Sequence, residues 1–314
     1  MRGCRGRRKE PLFKKVFSSP SAYNFFFANR KDFFMFWARA ISFPLLLAIF
    51  FAMIFWSYGA WIFAILVPFL LGMAGYEFGK IIQKFELKCS PKVIGAVLFI
   101  MGAAFAPVVL YDKIGKFDDI TFGCYFGIPF LGVFVSFAGL FFAKDRKSYF
   151  LDSFTSFGCV IFLMFLYIPL LAVYGVDAKD FLYLVLVTKM TDTGGYIFGK
   201  LSSYLPWGNH KIAPRFSPKK SYEGLAGGML MSVAAGLILL KYGCSPFNMT
   251  LTIISSLVLS LGSFAGDLSE SALKREADIK DSANWIPGMG GIFDVLDSFI
   301  YNGIIFLVFM AFCR

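Results

Sequence analysis

Residues 40–76 read AISFPLLLAIFFAMIFWSYGAWIFAILVPFLLGMAGY, without one charged side chain between Arg39 and Glu77. A helix needs about 20 apolar residues to cross the hydrocarbon core of a bilayer. The run is therefore long enough for two short spans, turning at Ser57-Tyr58-Gly59. Equally charge-free stretches lie between Lys92 and Asp112, Asp119 and Lys144, Asp152 and Asp177, Glu223 and Lys241, Lys241 and Asp267, and Asp297 and Arg314. With a further span near 180–199, the chain reads as all-α, a polytopic integral membrane protein with about nine transmembrane helices. The later spans fall near 93–111, 120–143, 153–176, 224–241, 248–266 and 290–313.

Composition agrees. Hydrophobic residues make up 58% of the 314 positions and charged residues 16%, with a mean hydropathy of +0.68. A soluble domain of this size carries more charge. The net charge of +11 does not call for nucleic acid, because cytoplasmic loops of membrane proteins collect Lys and Arg. Lys80, Lys84, Lys88 and Lys92 mark the second loop, Lys144, Arg146 and Lys147 the fourth, Lys200 to Lys220 the sixth, and Lys274, Arg275 and Lys280 the eighth. The loop at 112–119 has three Asp against two Lys. That alternation puts the N-terminus and the even-numbered loops in the cytoplasm and the C-terminus outside. The basic stretch from Arg2 to Lys15 is too polar to open a cleavable leader.

Six cysteines, none in a C-x-x-C pair, read as free thiols, and His210 is the only histidine. A zinc site or a Ser-His-Asp triad is thereby disfavoured. Residues 1–175 read as apolar helices behind a basic arm, with no chemistry evident. Residues 176–314 hold nearly all the polar groups at odd membrane depths and read as the catalytic region.

Three constellations carry that chemistry. Lys189-Met-Thr-Asp192-Thr-Gly-Gly-Tyr196 puts a carboxylate inside an apparent span, where ionisable groups are costly and functional by default. A structural pair with Lys189 on the same helix face is the plainer alternative. The second runs Lys211-Ile-Ala-Pro-Arg215-Phe-Ser217-Pro-Lys219-Lys220-Ser221-Tyr-Glu223-Gly224. It is a basic loop stiffened by Pro214 and Pro218, with cations and hydroxyls suited to a polyphosphate. In the third, Asp267, Glu270, Ser271 and Lys274 share one helix face, Arg275, Lys280 and Asp281 follow, and Asp294 and Asp297 stand three apart at the start of the last span. Oxygen-only ligands at two helix ends point to a hard cation, Mg2+ above all.

The third constellation resembles the signature of the phosphatidate cytidylyltransferases, S-x-x-K-R, then K-D, then P-x-H-G-G-x-x-D-R-x-D-S. Ser271, Lys274, Arg275, Lys280, Asp281, Pro287, Gly290, Gly291, Asp294, Asp297 and Ser298 occupy its positions in order. The Thr-Asp-Thr-Gly-Gly-Tyr and Ser-Pro-Lys-Lys-Ser-Tyr-Glu-Gly runs are similar to the family as well. The likeness is close over about 185–300. Met289 stands where the family has His, and Val295 where it has Arg.

The resemblance implies condensation of CTP with phosphatidic acid to CDP-diacylglycerol and pyrophosphate, with Mg2+. It implies catalytic roles for Asp267, Lys274, Arg275, Asp281, Asp294 and Asp297. Asp267, Asp294 and Asp297 would bind the metal, and there is room for a second, monovalent cation. Asp192, Lys211, Ser217, Lys219, Lys220, Ser221, Glu223 and Ser271 would meet substrate, and Glu270 would orient Lys274. A homodimer, in a bacterial inner (cytoplasmic) membrane with the site facing the cytoplasm, is implied by the same likeness. Rival readings are a CDP-archaeol synthase-like or polyprenol kinase-like enzyme, and a secondary transporter built around Asp192. Transporters of that kind often show paired halves, and polarity here is confined to one half.

The topology has a direct test. A single cysteine placed at position 216 in a Cys-free background should be labelled from the cytoplasmic side only; labelling from outside would overturn the charge-based orientation.

Overall fold

Charge-free runs become helices because, in lipid, every backbone N–H and C=O must be satisfied within its own segment. The computed structural model describes residues 45, 47–56, 58–112, 146–204, 210–283, 285–286 and 290–313. The named helices are α1 (Gly59–Gln83), α2 (Pro91–Asp112), α3 (Arg146–Val176), α4 (Ala178–Ser202), α5 (Tyr222–Lys241), α6 (Met249–Glu276), the short α7 (Ile292–Leu296) and α8 (Asn302–Cys313). A 3-10 turn, Asp297–Phe299, joins α7 to α8. Residues 47–55 are also helical, and α1 begins at Gly59, within the stretch where the turn was expected.

Among the described residues, five helical segments are long and apolar enough to cross a bilayer: Gly59–Gln83, Phe150–Val176, Tyr222–Lys241, Met249–Glu276 and Ile292–Cys313. The apolar helix Pro91–Phe105 is shorter, and α4, with Lys189 and Asp192 in its course, is not one of the five. The expected span at 120–143, the basic arm at 1–35 and the Pro287-Gly288-Met289 stretch lie outside the described residues.

Two local expectations change. The sixth loop is not irregular throughout. Strands β1 (Lys211–Ala213) and β2 (Ser217–Ser221) form an antiparallel hairpin, with Lys211 opposite Ser221 and Ala213 opposite Ser217. The last span is also not one continuous helix. Its first turns tighten into α7 and the 3-10 turn, so Asp294 and Asp297 do not sit on one regular helical face.

Helix starts follow their capping residues. Asp177 accepts from Lys179 N at 2.8 Å, Ser221 from Gly224 N at 3.2 Å, and Asn248 from Leu251 N at 3.0 Å. Each satisfies one of the donors a helix start leaves orphaned.

Packing relies on small residues and on buried hydrogen bonds, the two devices that hold helices together in lipid. A Cβ on Gly194 of α4 would lie 2.7 Å from Gly227 O of α5, and one on Gly228 of α5 would lie 2.8 Å from Thr191 O. The two backbones therefore run in direct contact. Tyr183 of α4 reaches α6 through its hydroxyl, 2.8 Å from Ser255 Oγ and 2.9 Å from Ser256 Oγ. Asn302 of α8 donates to Thr188 Oγ1 at 2.8 Å. On the other side of the bundle, Tyr174 of α3 stacks on Phe63 of α1 at 3.7 Å and donates to Met53 O at 2.9 Å. Cys89, Cys159 and Cys244 are buried free thiols, as expected.

Gly194→Leu should force α4 and α5 apart and destabilise the protein by about 1–3 kcal/mol, the usual cost of overpacking. A lower thermal midpoint in detergent would show it; an unchanged midpoint would mean that the helices separate freely.

Candidate functional site

The site forms where α6 ends. Gly266 allows it: a Cβ there would strike the carbonyl oxygen of Asp297, so only glycine lets the 3-10 turn lie against this helix. That approach brings carboxylate oxygens of Asp267, Glu270 and Asp297 within 4.8 Å of one another. The group has a mouth and a floor. The Asp267 side chain is 36% exposed, and that of Glu270 is 1% exposed.

Three carboxylates this close repel wherever they are ionised, and lysines stand around them. Lys220 of β2 lies 2.9 Å from Asp267 Oδ2 and also over the Phe264 ring, 4.6 Å from its centroid. Lys274 lies 2.9 Å from Glu270 Oε1 and 3.0 Å from Asp294 Oδ1. Lys189 of α4 lies 3.3 Å from Asp192 Oδ2 and donates to Ser298 Oγ at 2.6 Å and to Val295 O at 3.0 Å. Ser263 donates to Asp192 Oδ1 at 2.9 Å. Both Lys189 and Asp192 act electrostatically on Asp297. An all-oxygen donor set with one open side, backed by cations, suits a hard divalent ion together with phosphate groups.

The expected residues divide. Asp267, Asp297, Lys220 and Lys274 converge, with Ser271 bonded to Asp267 Oδ1 at 3.4 Å and Asp192 at the margin. Glu270 does pair with Lys274.

Asp294, expected as a metal ligand, lies beside the close carboxylate group and shares Lys274 with Glu270. Asp294 accepts from Ser282 N at 3.1 and 3.2 Å and from Gly291 N at 2.9 Å, so its oxygens cap α7 and hold the preceding loop. Ser221 is buried as the cap of α5. Glu223 pairs with His210 at 2.6 Å. Lys211 and Lys219 point outward on the hairpin and Ser217 is half-buried there. Arg275 is exposed and donates to Ile279 O at 3.3 Å, and Asp281 is exposed as well.

One group was missed. Glu77 lies in the half of the chain that reads as free of chemistry, yet its side chain is fully buried against the site. It accepts from Ser282 Oγ at 2.7 Å, Ile292 N at 2.9 Å and Phe293 N at 2.8 Å. Those two N–H groups belong to the first turn of α7, where an anion is favoured. A Cβ on Gly291 would strike both Ser282 Oγ and Glu77 Oε2, so glycine is required beside it. In sequence Glu77 stands just ahead of Lys80 and Lys84 and reads as loop charge. Its single signal is its place within an otherwise apolar helical run.

The sequence profile of the Cytidylyltransferase family matches residues 37–313. A phosphatidate cytidylyltransferase of Staphylococcus haemolyticus (strain JCSC1435) is 41% identical over 120 residues, 38% of this chain and 44% of that protein. One of Staphylococcus saprophyticus subsp. saprophyticus is 34% identical over 162 residues, 51% of this chain and 59% of that protein. A third, of Staphylococcus aureus (strain COL), is 41% identical over 120 residues, 38% of this chain and 44% of that protein. The chain thus spans about half the length of the curated relatives it matches.

Replacing Glu77 by Ala leaves three donors without their acceptor and should cost at least about 2 kcal/mol. Glu77→Gln, which keeps one acceptor oxygen, should cost less. Thermal unfolding of the two variants in detergent measures the order; a midpoint unchanged in both would show that α7 does not depend on this carboxylate.

Proposed function

Because this chain belongs to the cytidylyltransferase family, we propose that it is a phosphatidate cytidylyltransferase of a bacterial cytoplasmic membrane. It would join CTP and phosphatidic acid to give CDP-diacylglycerol and pyrophosphate, with its site on the cytoplasmic face. The observation that carries this is the three-carboxylate group with its ring of lysines at the end of a membrane-length helix. Such a place can meet a water-soluble polyphosphate and a phosphate fixed to a lipid together. The wider assignment keeps about nine spans, a catalytic region at 176–314, and a homodimer implied by the resemblance.

In the reaction, an oxygen of the lipid phosphate bonds to the α-phosphorus of CTP, the bond from that phosphorus to the β,γ-diphosphate breaks, and pyrophosphate leaves. Little covalent chemistry falls to the protein, so positioning and charge neutralisation carry the rate. Asp267, Glu270 and Asp297 are the residues suited to hold Mg2+, with Asp294 fixing the loop beside them. The ion would supply charge neutralisation at the phosphates. Lys220 and Lys274 bring positive charge to phosphate oxygens from two directions. Lys189 anchors Ser298 and Val295 O, so it holds the Asp297 turn in place. Asp192, Ser217, Ser271, Lys211, Lys219 and Arg275 remain candidate substrate contacts around the mouth. The apolar slot lined by Leu186, Met190, Met231 and Ile238 opens between α4 and α5, one turn from Lys189.

Purified protein should convert labelled CTP and phosphatidic acid to CDP-diacylglycerol with Mg2+ and not in EDTA. Asp267→Asn and Asp297→Asn should each lower kcat by about 100-fold or more, the scale for losing one electrostatic group at a reacting centre, while the protein still inserts and purifies. Wild-type turnover in either variant would assign these acids to structure alone.

A further inference from the structure

Tyr167 is the one tyrosine hydroxyl among the described residues that is both fully buried and without a hydrogen-bond partner. It belongs to α3, in the half of the chain whose sequence shows no chemistry, and it is 2% exposed. Helix α3 packs against the 3-10 turn that carries Asp297. Three carboxylates act electrostatically on the Tyr167 hydroxyl: Asp297, Glu270 and Glu77. Two of them belong to the close carboxylate group, and the third caps the helix leading into it.

A buried hydroxyl with no partner costs about 1–3 kcal/mol. Phenylalanine would fill the same space without that cost, so packing does not explain the oxygen. The other buried tyrosines of the bundle show the contrast: Tyr174 donates to Met53 O, and Tyr183 donates to Thr252 O and is hydrogen-bonded with the Ser255 and Ser256 hydroxyls. Among the described tyrosines Tyr167 alone leaves a buried hydroxyl without a partner, on the helix that packs against the Asp297 turn. A carboxylate group that takes a hard cation also takes water, because Mg2+ dehydrates reluctantly and keeps several waters. Those waters need partners beyond the ligands themselves.

We propose that Tyr167 is a positioning residue of the acidic site: its hydroxyl binds a water carried by the divalent cation that Asp267, Glu270 and Asp297 hold. This rests on the cation reading given above. It makes α3 a wall of the site and gives the N-terminal half a direct part in setting the ion's affinity. As a positioning residue, Tyr167 would affect turnover only through the ion.

The test uses the full chain in detergent micelles and Mn2+ as the probe, with free Mn2+ read from its electron paramagnetic resonance signal and without any substrate. Tyr167→Phe removes one oxygen and keeps the ring. Its apparent Mn2+ affinity should fall about 10-fold, the scale for losing a hydrogen bond behind the ligands. Its thermal midpoint without divalent ions should stay the same or rise, since an unpaired hydroxyl is gone. Asp297→Asn is titrated alongside. If Tyr167→Phe binds Mn2+ within about twofold of wild type while Asp297→Asn loses it, the inference is overturned and the cation reading survives. If wild type binds no Mn2+, both fall together. An affinity loss accompanied by a lower metal-free midpoint would overturn the inference in favour of packing alone.

Discussion

Carboxylates held together at the edge of an apolar bundle are the constraint around which the rest is arranged. Asp267, Glu270 and Asp297 crowd within 4.8 Å, and an isolated buried charge is far too costly to leave unpaired. The chain supplies cations from separate parts of the fold to meet them. Lys274 comes from the same helix as Asp267 and Glu270, and Lys220 from the hairpin. Lys189 reaches the turn behind Asp297 from α4. Each of those elements is therefore tied to the others through charge, and the glycine-lined contact of α4 with α5 keeps the lysine-bearing helix at the right distance.

The short helix α7 depends on a second set of anions. Its first N–H groups are received by Glu77 from α1 and by Asp294 from within. Five residues of helix have little stability of their own. Their placement follows from those acceptors and from the burial of Ile292 and Phe293. Phe293 lies against Phe78, the neighbour of Glu77, with ring centroids 5.4 Å apart. Apolar and polar contacts from one turn of α1 thus fix the segment that delivers Asp297. The N-terminal half is the support on which the acidic site is assembled.

Exposure differs within the site. Lys189 and Asp192 are 37% and 35% exposed, comparable to Asp267, whereas Glu270 and Lys274 are closed off. Leu186 and Met190, which flank Lys189 on α4, line an apolar slot with α5. Charged and apolar side chains thus lie on neighbouring faces of α4.

The sequence alone determined the class. Long runs without charge leave a chain no alternative to spanning helices, because unsatisfied backbone groups are not tolerated in lipid. It also placed an acidic and basic cluster at the end of α6, since Asp267, Glu270, Ser271 and Lys274 recur at helical spacing and bring their group along whatever the rest does. The Glu270–Lys274 pair was legible for the same local reason. What only the tertiary structure decided is which acids meet. Asp294 and Asp297 look equivalent three residues apart, but the helix tightens between them, sending Asp294 to cap α7 and Asp297 to Asp267. Lys220 joins while Lys219 turns outward, because neighbours on a strand face opposite ways. Glu77 lies more than two hundred positions from its partners, as the separations of 205, 215 and 216 residues state. No periodicity links it to them; only the packing of α1 beside α7 does.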